Sequence, residues 1–312
     1  MRSTSLTSTK TSSTDRLKRF WLTLKDASKE FIASDPFSQA ATIAYYTIFS
    51  LPAVMILTIM AAASFYDEES VRTALLHQAG VMIGPSTAEQ LGSMLQNAEV
   101  TETKWMAKII GLVALVVSAG SVFASLQSAL NKVWSVESKP GKAILKYMGT
   151  RLLSLALVAC FGFLMLVSLV LDAALVAFSD QIAQRLSGVT TIVLSVLDVV
   201  ISFSIITLIF TLLFKVLPDV KVRIKDVVTG AMLTALLFTA GKYLISAYIS
   251  YTNVGDTYGA AGAIVIILVW VYYSTIIMLF GAHYTHVHTR DHGSGVIASK
   301  HAKPLAETEV AA

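Results

Sequence analysis

Residues 258–283 read YGAAGAIVIILVWVYYSTIIMLFGAH, a run with no Asp, Glu, Lys or Arg. At about 1.5 Å per residue a helix of this length crosses a hydrocarbon layer of about 30 Å, where only helices and closed barrels satisfy the backbone. The run opens on Gly259, Ala260, Ala261, Gly262 and Ala263, small residues that let a neighbouring helix approach closely. It then carries the aromatic block Trp270-Val271-Tyr272-Tyr273. Working outward, similar apolar runs predict spans at about 41–65, 105–130, 149–178, 189–214 and 227–249, with the last at 258–284. The expected fold is all-α: a polytopic membrane protein with six transmembrane helices in one bundle.

Composition agrees. Of the 312 residues 55% are hydrophobic and 14% charged, against about 25% charged in an average soluble domain. Cys160, the one cysteine, lies in an apolar run, which leaves no disulfide framework or cysteine metal site within the chain. No cleavable signal peptide precedes the first apolar run, so the first span is expected to direct insertion itself.

The ends and loops divide the chain further. Residues 1–34 begin with a Ser/Thr-rich tract, and from Asp15 to Ile32 become amphipathic, with Leu17, Phe20, Trp21, Leu24 and Phe31 set against Arg16, Lys18, Arg19, Lys25 and Lys29. This pattern suits a helix on an anionic membrane surface, with a basic nucleic-acid arm as the competing reading. Residues 67–104 form an acidic extramembrane segment, predicted as two short amphipathic helices broken at Gly84-Pro85 and resting on the outer surface. Ser86 and Glu89 make a capping-box pattern that opens the second, Thr87 to Asn97. Residues 285–312 are expected to be a tail. Lys and Arg concentrate in the amino-terminal segment, in the loops after spans two and four, and in the tail, while Arg72, Lys104 and Arg185 stand opposite. The positive-inside rule therefore places both termini in the cytoplasm and explains the net charge of +4 without nucleic acid.

Polar residues at membrane depth cost at least about 2.5–3.5 kcal/mol on insertion scales and so are candidate functional groups. Asp172, Asp198 and Lys242 qualify, at expected depths of about 9, 14 and 12 Å from the outer ends of their spans. Together they could form an interior cluster that relays protons, contacts a head group or locks the helices; singly, Asp172 and Lys242 could snorkel outward. Ser118, Ser121, Ser125 and Ser128 form one stripe on span two, open to two readings, helix packing or a water-lined path. Gln127 and Asn131 near its end are expected to hydrogen-bond across helices. Pro52 lies inside span one, as a tolerated kink or as part of a gate. His283, His286, His288 and His292 match no fixed ligand spacing and are expected to be exposed, interfacial imidazoles rather than metal ligands. No nucleophile–base pair or phosphate-binding glycine loop appears in the extramembrane segments, so neither an enzyme nor a cofactor is expected.

Several motifs together resemble the YihY/BrkB family of bacterial inner-membrane proteins, once labelled ribonuclease BN. Ala41-Thr42-Ile43-Ala44-Tyr45-Tyr46 with Ser50-Leu51-Pro52 looks like its first span, and Leu130-Asn131-Lys132-Val133-Trp134 like the end of its second. Leu217-Pro218-Asp219-Val220 with Gly230, then Tyr258-Gly259-Ala260-Ala261-Gly262, Trp270-Val271-Tyr272 and Gly281-Ala282, resemble its last two spans. The family usually follows this Gly-Ala with Glu; here the residue is His283. The resemblance covers about Asp35 to Tyr284 and implies a six-span membrane protein that moves lipids or other envelope components.

The expected function is therefore that of a transporter or lipid translocator. A non-transporting scaffold or regulator is the alternative, and a ribonuclease or other enzyme ranks last. Membrane lipids are the expected partners, with a homo-oligomer or envelope proteins also candidates and nucleic acid not among them.

Overall fold

The computed structural model describes residues 13–63, 66–98, 105–138, 189–252 and 262–293, with 295, 297–299 and 302–304. Its helices are α1 (Ser13–Ala33), α2 (Pro36–Ala62), α3 (Glu68–Ile83), α4 (Pro85–Ala98), α5 (Trp105–Val133), α6 (Val189–Val216), α7 (Ile224–Thr252) and α8 (Gly262–His292). Four short strands join them: β1 (Val136–Ser138), β2 (Val220–Lys221), β3 (Ile297–Ala298) and β4 (Ala302–Pro304). Among the described residues, four helical stretches are long and apolar enough to cross a membrane: Pro36–Met60, Val199–Val216, Ile224–Ile245 and Gly262–His292. α5, with 29 residues, is of comparable length and packs along α2. The predicted third span at 149–178 lies outside the described residues.

Local chemistry sets the helix boundaries. Asp35 adopts a left-handed conformation (φ 54°) and turns the chain sharply from α1 into α2. Pro36 follows in the first turn, where its missing N–H costs no helical hydrogen bond. α3 is capped by Asp67, whose carboxylate accepts the Ser70 N–H, with Glu68 and Glu69 favourably placed near the positive end of the helix dipole. It ends at Gly84 (φ 93°), a conformation that glycine adopts without a Cβ clash, and Pro85 starts α4. The second of the two short helices thus begins two residues earlier than the capping-box pattern suggested.

One end of the bundle gathers most of the basic residues. There α1 meets the start of α2, α5 and α6 finish, α7 begins and α8 ends. A core at this basic end joins Phe31, Ile43, Leu130, Trp134, Phe214, Leu217, Val227, Leu279 and Ala282. A second core at the far end joins Met55, Ile59, Ile245, Ile266, Ile267 and Trp270 with Val71, Leu91 and Leu95 of α3 and α4. The α3–α4 pair is two-sided: Leu91 and Leu95 are 3% and 1% exposed and close the far end against α2 and α8, while Glu89, Ser93 and Gln96 are exposed.

The crossing of α7 and α8 is built from two reciprocal contacts. A Cβ at Gly230 would collide with the Thr285 side chain, and one at Gly281 with that of Thr234. Each threonine sits four residues after a glycine of its own helix and donates its hydroxyl to that glycine's carbonyl, Thr234 to Gly230 at 2.8 Å and Thr285 to Gly281 at 2.7 Å. Small residues permit close approach, and the hydroxyls are satisfied without leaving their helix. Gly241 gives the same close approach to the Tyr273 ring nearer the far end.

The segment 285–312, expected as a tail, begins as a continuation of the last helix. α8 continues to His292, and β3 and β4 then pair antiparallel with β2 and β1 respectively. Lys303 and Glu137 make an ion pair of 2.9 Å across one of these ladders, and the Ser299 N–H donates to the Asp219 carbonyl at 2.9 Å.

Candidate functional site

Where α2 and α5 converge at the basic end they leave a cleft of about 280 Å³. It is lined by Asp35, Ser38, Gln39 and Thr42 from the start of α2 and by Ser125, Ser128 and Lys132 from the end of α5, with Ile43 and Ala129 at its base. The spacing is helical on both sides: residues 35, 38, 39 and 42 share one face, as do 125, 128 and 132. Gln39 is held by its amide, which donates to the Ser34 carbonyl at 2.5 Å and the Asp35 carbonyl at 3.3 Å. Its Oε1 is buried with no hydrogen-bond partner among the described residues, an acceptor without the donor that burial normally demands. The cleft thus combines one acidic and one basic side chain with the hydroxyls of Ser38, Thr42, Ser125 and Ser128.

Next to the cleft, Asn131 closes a two-way clamp. Its Nδ2 donates to Asp219 Oδ2 at 3.0 Å, and the Asp219 N–H donates to Asn131 Oδ1 at 2.7 Å. Its partner stands in the turn after α6 rather than on a neighbouring helix, and the clamp ties two of the motifs noted in the sequence to each other. Pro218 is buried beside it, and Trp134 (2% exposed) packs edge-on to the His286 ring at 5.4 Å.

Three of the four histidines depart from the expected exposure, whereas His292 is exposed. His283 is buried, 4% exposed, with Nε2 3.0 Å from Ser34 Oγ and its ring edge-on to Phe31. His286 Nδ1 lies 3.2 Å from Glu30 Oε2, and Arg290 Nη1 donates to Glu30 Oε1 at 2.5 Å and its Nε to Asp291 Oδ1 at 2.8 Å. Because α1 packs against α8, their facing sides become a joint rather than a solvated surface, which is why these imidazoles are covered. The His286 hydrogen bond, reinforced by Arg290, holds the Glu30 carboxyl down to about 2, against burial that pushes it the other way. Tyr284, His288 and His292 continue as a stacked column with ring centroids about 6 Å apart. Among the described residues no group of three His, Cys, Asp or Glu is placed to hold a metal ion.

The remaining predicted positions are distributed as follows. Ser125 and Ser128 line the cleft, whereas half-buried Ser121 and Gln127 are not among its lining residues. Ser118 and Asp198 lie within α5 and α6, but their side chains are outside the described set, as are Asp172, Tyr258 and Gly259 altogether. Lys242 is half-buried, its Nζ 5.5 Å from the Tyr243 ring centroid. Asp198 and Lys242 each stand about 18 residues, or about 27 Å, from the turn joining α6 to α7, so their backbones share a level. Tyr45 and Tyr46 are exposed on α2, in edge contact with each other, and Ser50 is fully buried. α2 remains helical through half-buried Pro52. Trp270, Gly262 and Gly281 are buried in helix contacts and Tyr272 is half-buried. Asp35, Ser38, Gln39 and Glu30 were not singled out as site residues in the sequence. Glu30 alone carried a signal, as a carboxylate on the side of α1 that also holds Thr23, Ala27 and Phe31.

A family profile described as Virulence factor BrkB matches residues 27–306. The chain is 29% identical over 252 residues to a UPF0761 membrane protein of Pseudoalteromonas atlantica, covering 80% of this chain and 79% of that one. It is 29% identical over 244 residues to one of Alcanivorax borkumensis (78% and 54% covered) and 26% over 264 residues to one of Pseudomonas paraeruginosa (81% and 59%). The chain thus spans little more than half the length of the latter two relatives. No solved structure matches it.

Proposed function

Since the chain belongs to the family described as Virulence factor BrkB, we propose that it is a translocator of lipid or another envelope component in a bacterial inner membrane, with six spans and both termini cytoplasmic, and not a ribonuclease or other enzyme. The observation that carries this reading is the polar cleft between α2 and α5. Helix ends that only needed to pack would bring small or apolar residues together there. Here Asp35, Ser38, Gln39, Thr42, Ser125, Ser128 and Lys132 meet around an opening of about 280 Å³. An ammonium–phosphate head group fits this lining: Lys132 faces the phosphate, while Asp35 faces the amine. The acyl chains remain in the bilayer alongside exposed Tyr45 and Phe49 of α2. The serine stripe supplies further hydroxyls along α5 toward the level that Asp198 and Lys242 share.

The test is transbilayer movement of acyl-labelled phosphatidylethanolamine, phosphatidylcholine and phosphatidylglycerol in vesicles holding the purified protein, read by dithionite quenching. Faster exchange of the ethanolamine lipid, reduced at least tenfold by Ser125→Leu or Lys132→Gln, supports the proposal. The absence of any protein-dependent exchange would leave the scaffold reading, which the well-packed α7–α8 interface favours.

A further inference from the structure

The face of α1 turned away from the bundle carries a pattern that the joint with α8 does not use. Thr23, Ala27 and Phe31 are buried against the protein. On the opposite side Trp21 is 62%, Leu22 52% and Ile32 70% exposed, and Lys18, Lys25 and Lys29 are exposed with them. At 3.6 residues per turn Trp21 and Ile32 fall within about 20° of each other, three turns apart. The three lysines occupy the next ~60° and Leu22 closes the stripe. Asp26 and Arg19 lie on the flank beyond it. A face that only met water would not combine three large apolar side chains with a lysine row, whereas a bilayer interface accommodates both.

The position of α1 agrees with this. It packs on the last turns of α8, where Phe20 meets Tyr284 at 5.9 Å and Phe31 meets Phe280 at 5.5 Å. That is the basic end of a helix of 31 residues, about 46 Å, which is longer than the hydrocarbon layer. In the chain the stripe runs on into Phe37, Ala41, Tyr45 and Phe49, an exposed ridge at four-residue spacing down α2.

We infer that α1 is an interfacial docking helix for anionic lipid, with Trp21 and Ile32 inserted among the acyl chains and Lys18, Lys25 and Lys29 holding the surrounding phosphates. This inference is independent of whether the cleft between α2 and α5 carries a lipid.

The experiment uses the full chain with Cys160→Ser, spin-labelled at Ile32→Cys or Asp26→Cys, in nanodiscs of phosphatidylcholine with or without 30% phosphatidylglycerol. The 32 label should be reached by oxygen rather than by a water-soluble nickel chelate, and the 26 label the reverse. Removing phosphatidylglycerol should raise the 32 label toward water, and Lys18→Gln/Lys25→Gln/Lys29→Gln should abolish the difference between the two lipid mixtures. A 32 label that stays in water in both mixtures, or whose depth ignores phosphatidylglycerol, overturns the inference. Spin–spin broadening between two copies at this position also overturns it, in favour of a dimer contact.

Discussion

Gly230 and Gly281 show how much of the fold depends on the absence of one carbon. Each leaves room for the threonine of the facing helix, so Gly281→Ala forces the side chain into Thr234. Overpacking of this kind costs about 1–3 kcal/mol. We expect a lower melting temperature in detergent for Gly281→Ala, recovered in large part by adding Thr234→Ala, which removes the colliding group. Additive losses in that double-mutant cycle would show that the two sites are not coupled. Asn131 makes a second residue-scale case. Asn131→Ala removes both bonds of the clamp and leaves the partially buried Asp219 short of a donor, a loss of about 1–3 kcal/mol. Asn131→Asp should be worse, because it sets a second carboxylate against Asp219; chemical denaturation of the two variants would order them. The sequence marked Asn131 as a hydrogen-bonding residue and Pro218 and Gly281 as notable, but named no partner for any of them. A motif shows which residues matter, whereas partnership across 88 positions depends on how the helices pack.

At the scale of elements, the joint between α1 and α8 carries a pH dependence. Glu30 has a bound-state value of about 2, depressed from 4.5 by His286 and then Arg290. A carboxyl that is more acidic when docked contributes stability that is fully present above about 4.5 and is lost as pH falls from there toward 2. α1 should therefore loosen from α8 across that window, read as rising hydrogen exchange of the α1 amides relative to their intrinsic rates at each pH. Glu30→Gln should show that faster relative exchange already at neutral pH and little change on acidification. The existence of α1 and its two-sidedness were legible, because apolar and basic residues alternate at helical spacing. What covers its inward side was not legible, since the same periodicity suits a lipid surface and a protein neighbour. The helical extension to His292 was missed because aromatic and imidazole side chains lowered the apolar signal without interrupting the helix.

For the whole molecule, topology gives the broadest test. Cysteines placed at Ser138 and Ser299 in a Cys160→Ser background should be labelled from one side of the membrane and one at Gln96 from the other. Labelling of all three from a single side would contradict the arrangement in which β1 and β3 share the basic end while α4 closes the opposite one. Long apolar runs made the spanning helices readable, because membrane depth demands some twenty apolar residues in succession. The cleft was only half readable. Ser125 and Ser128 stood out as a stripe, but Asp35, Ser38, Gln39 and Thr42 belong to a turn and first helical turns whose polar residues are expected near any interface.

The pairing of β3 with β2 and of β4 with β1 also has a consequence for biogenesis. The segment that completes the two ladders follows α8, whereas its partners follow α5 and α6. Until the residues after His292 have been made, both earlier strands present open edges, and such edges invite pairing with other chains. A chain stopped at His292 would have its helices inserted but two hydrogen-bonding rims uncovered. Its fate would then turn on how quickly membrane proteases recognise those rims.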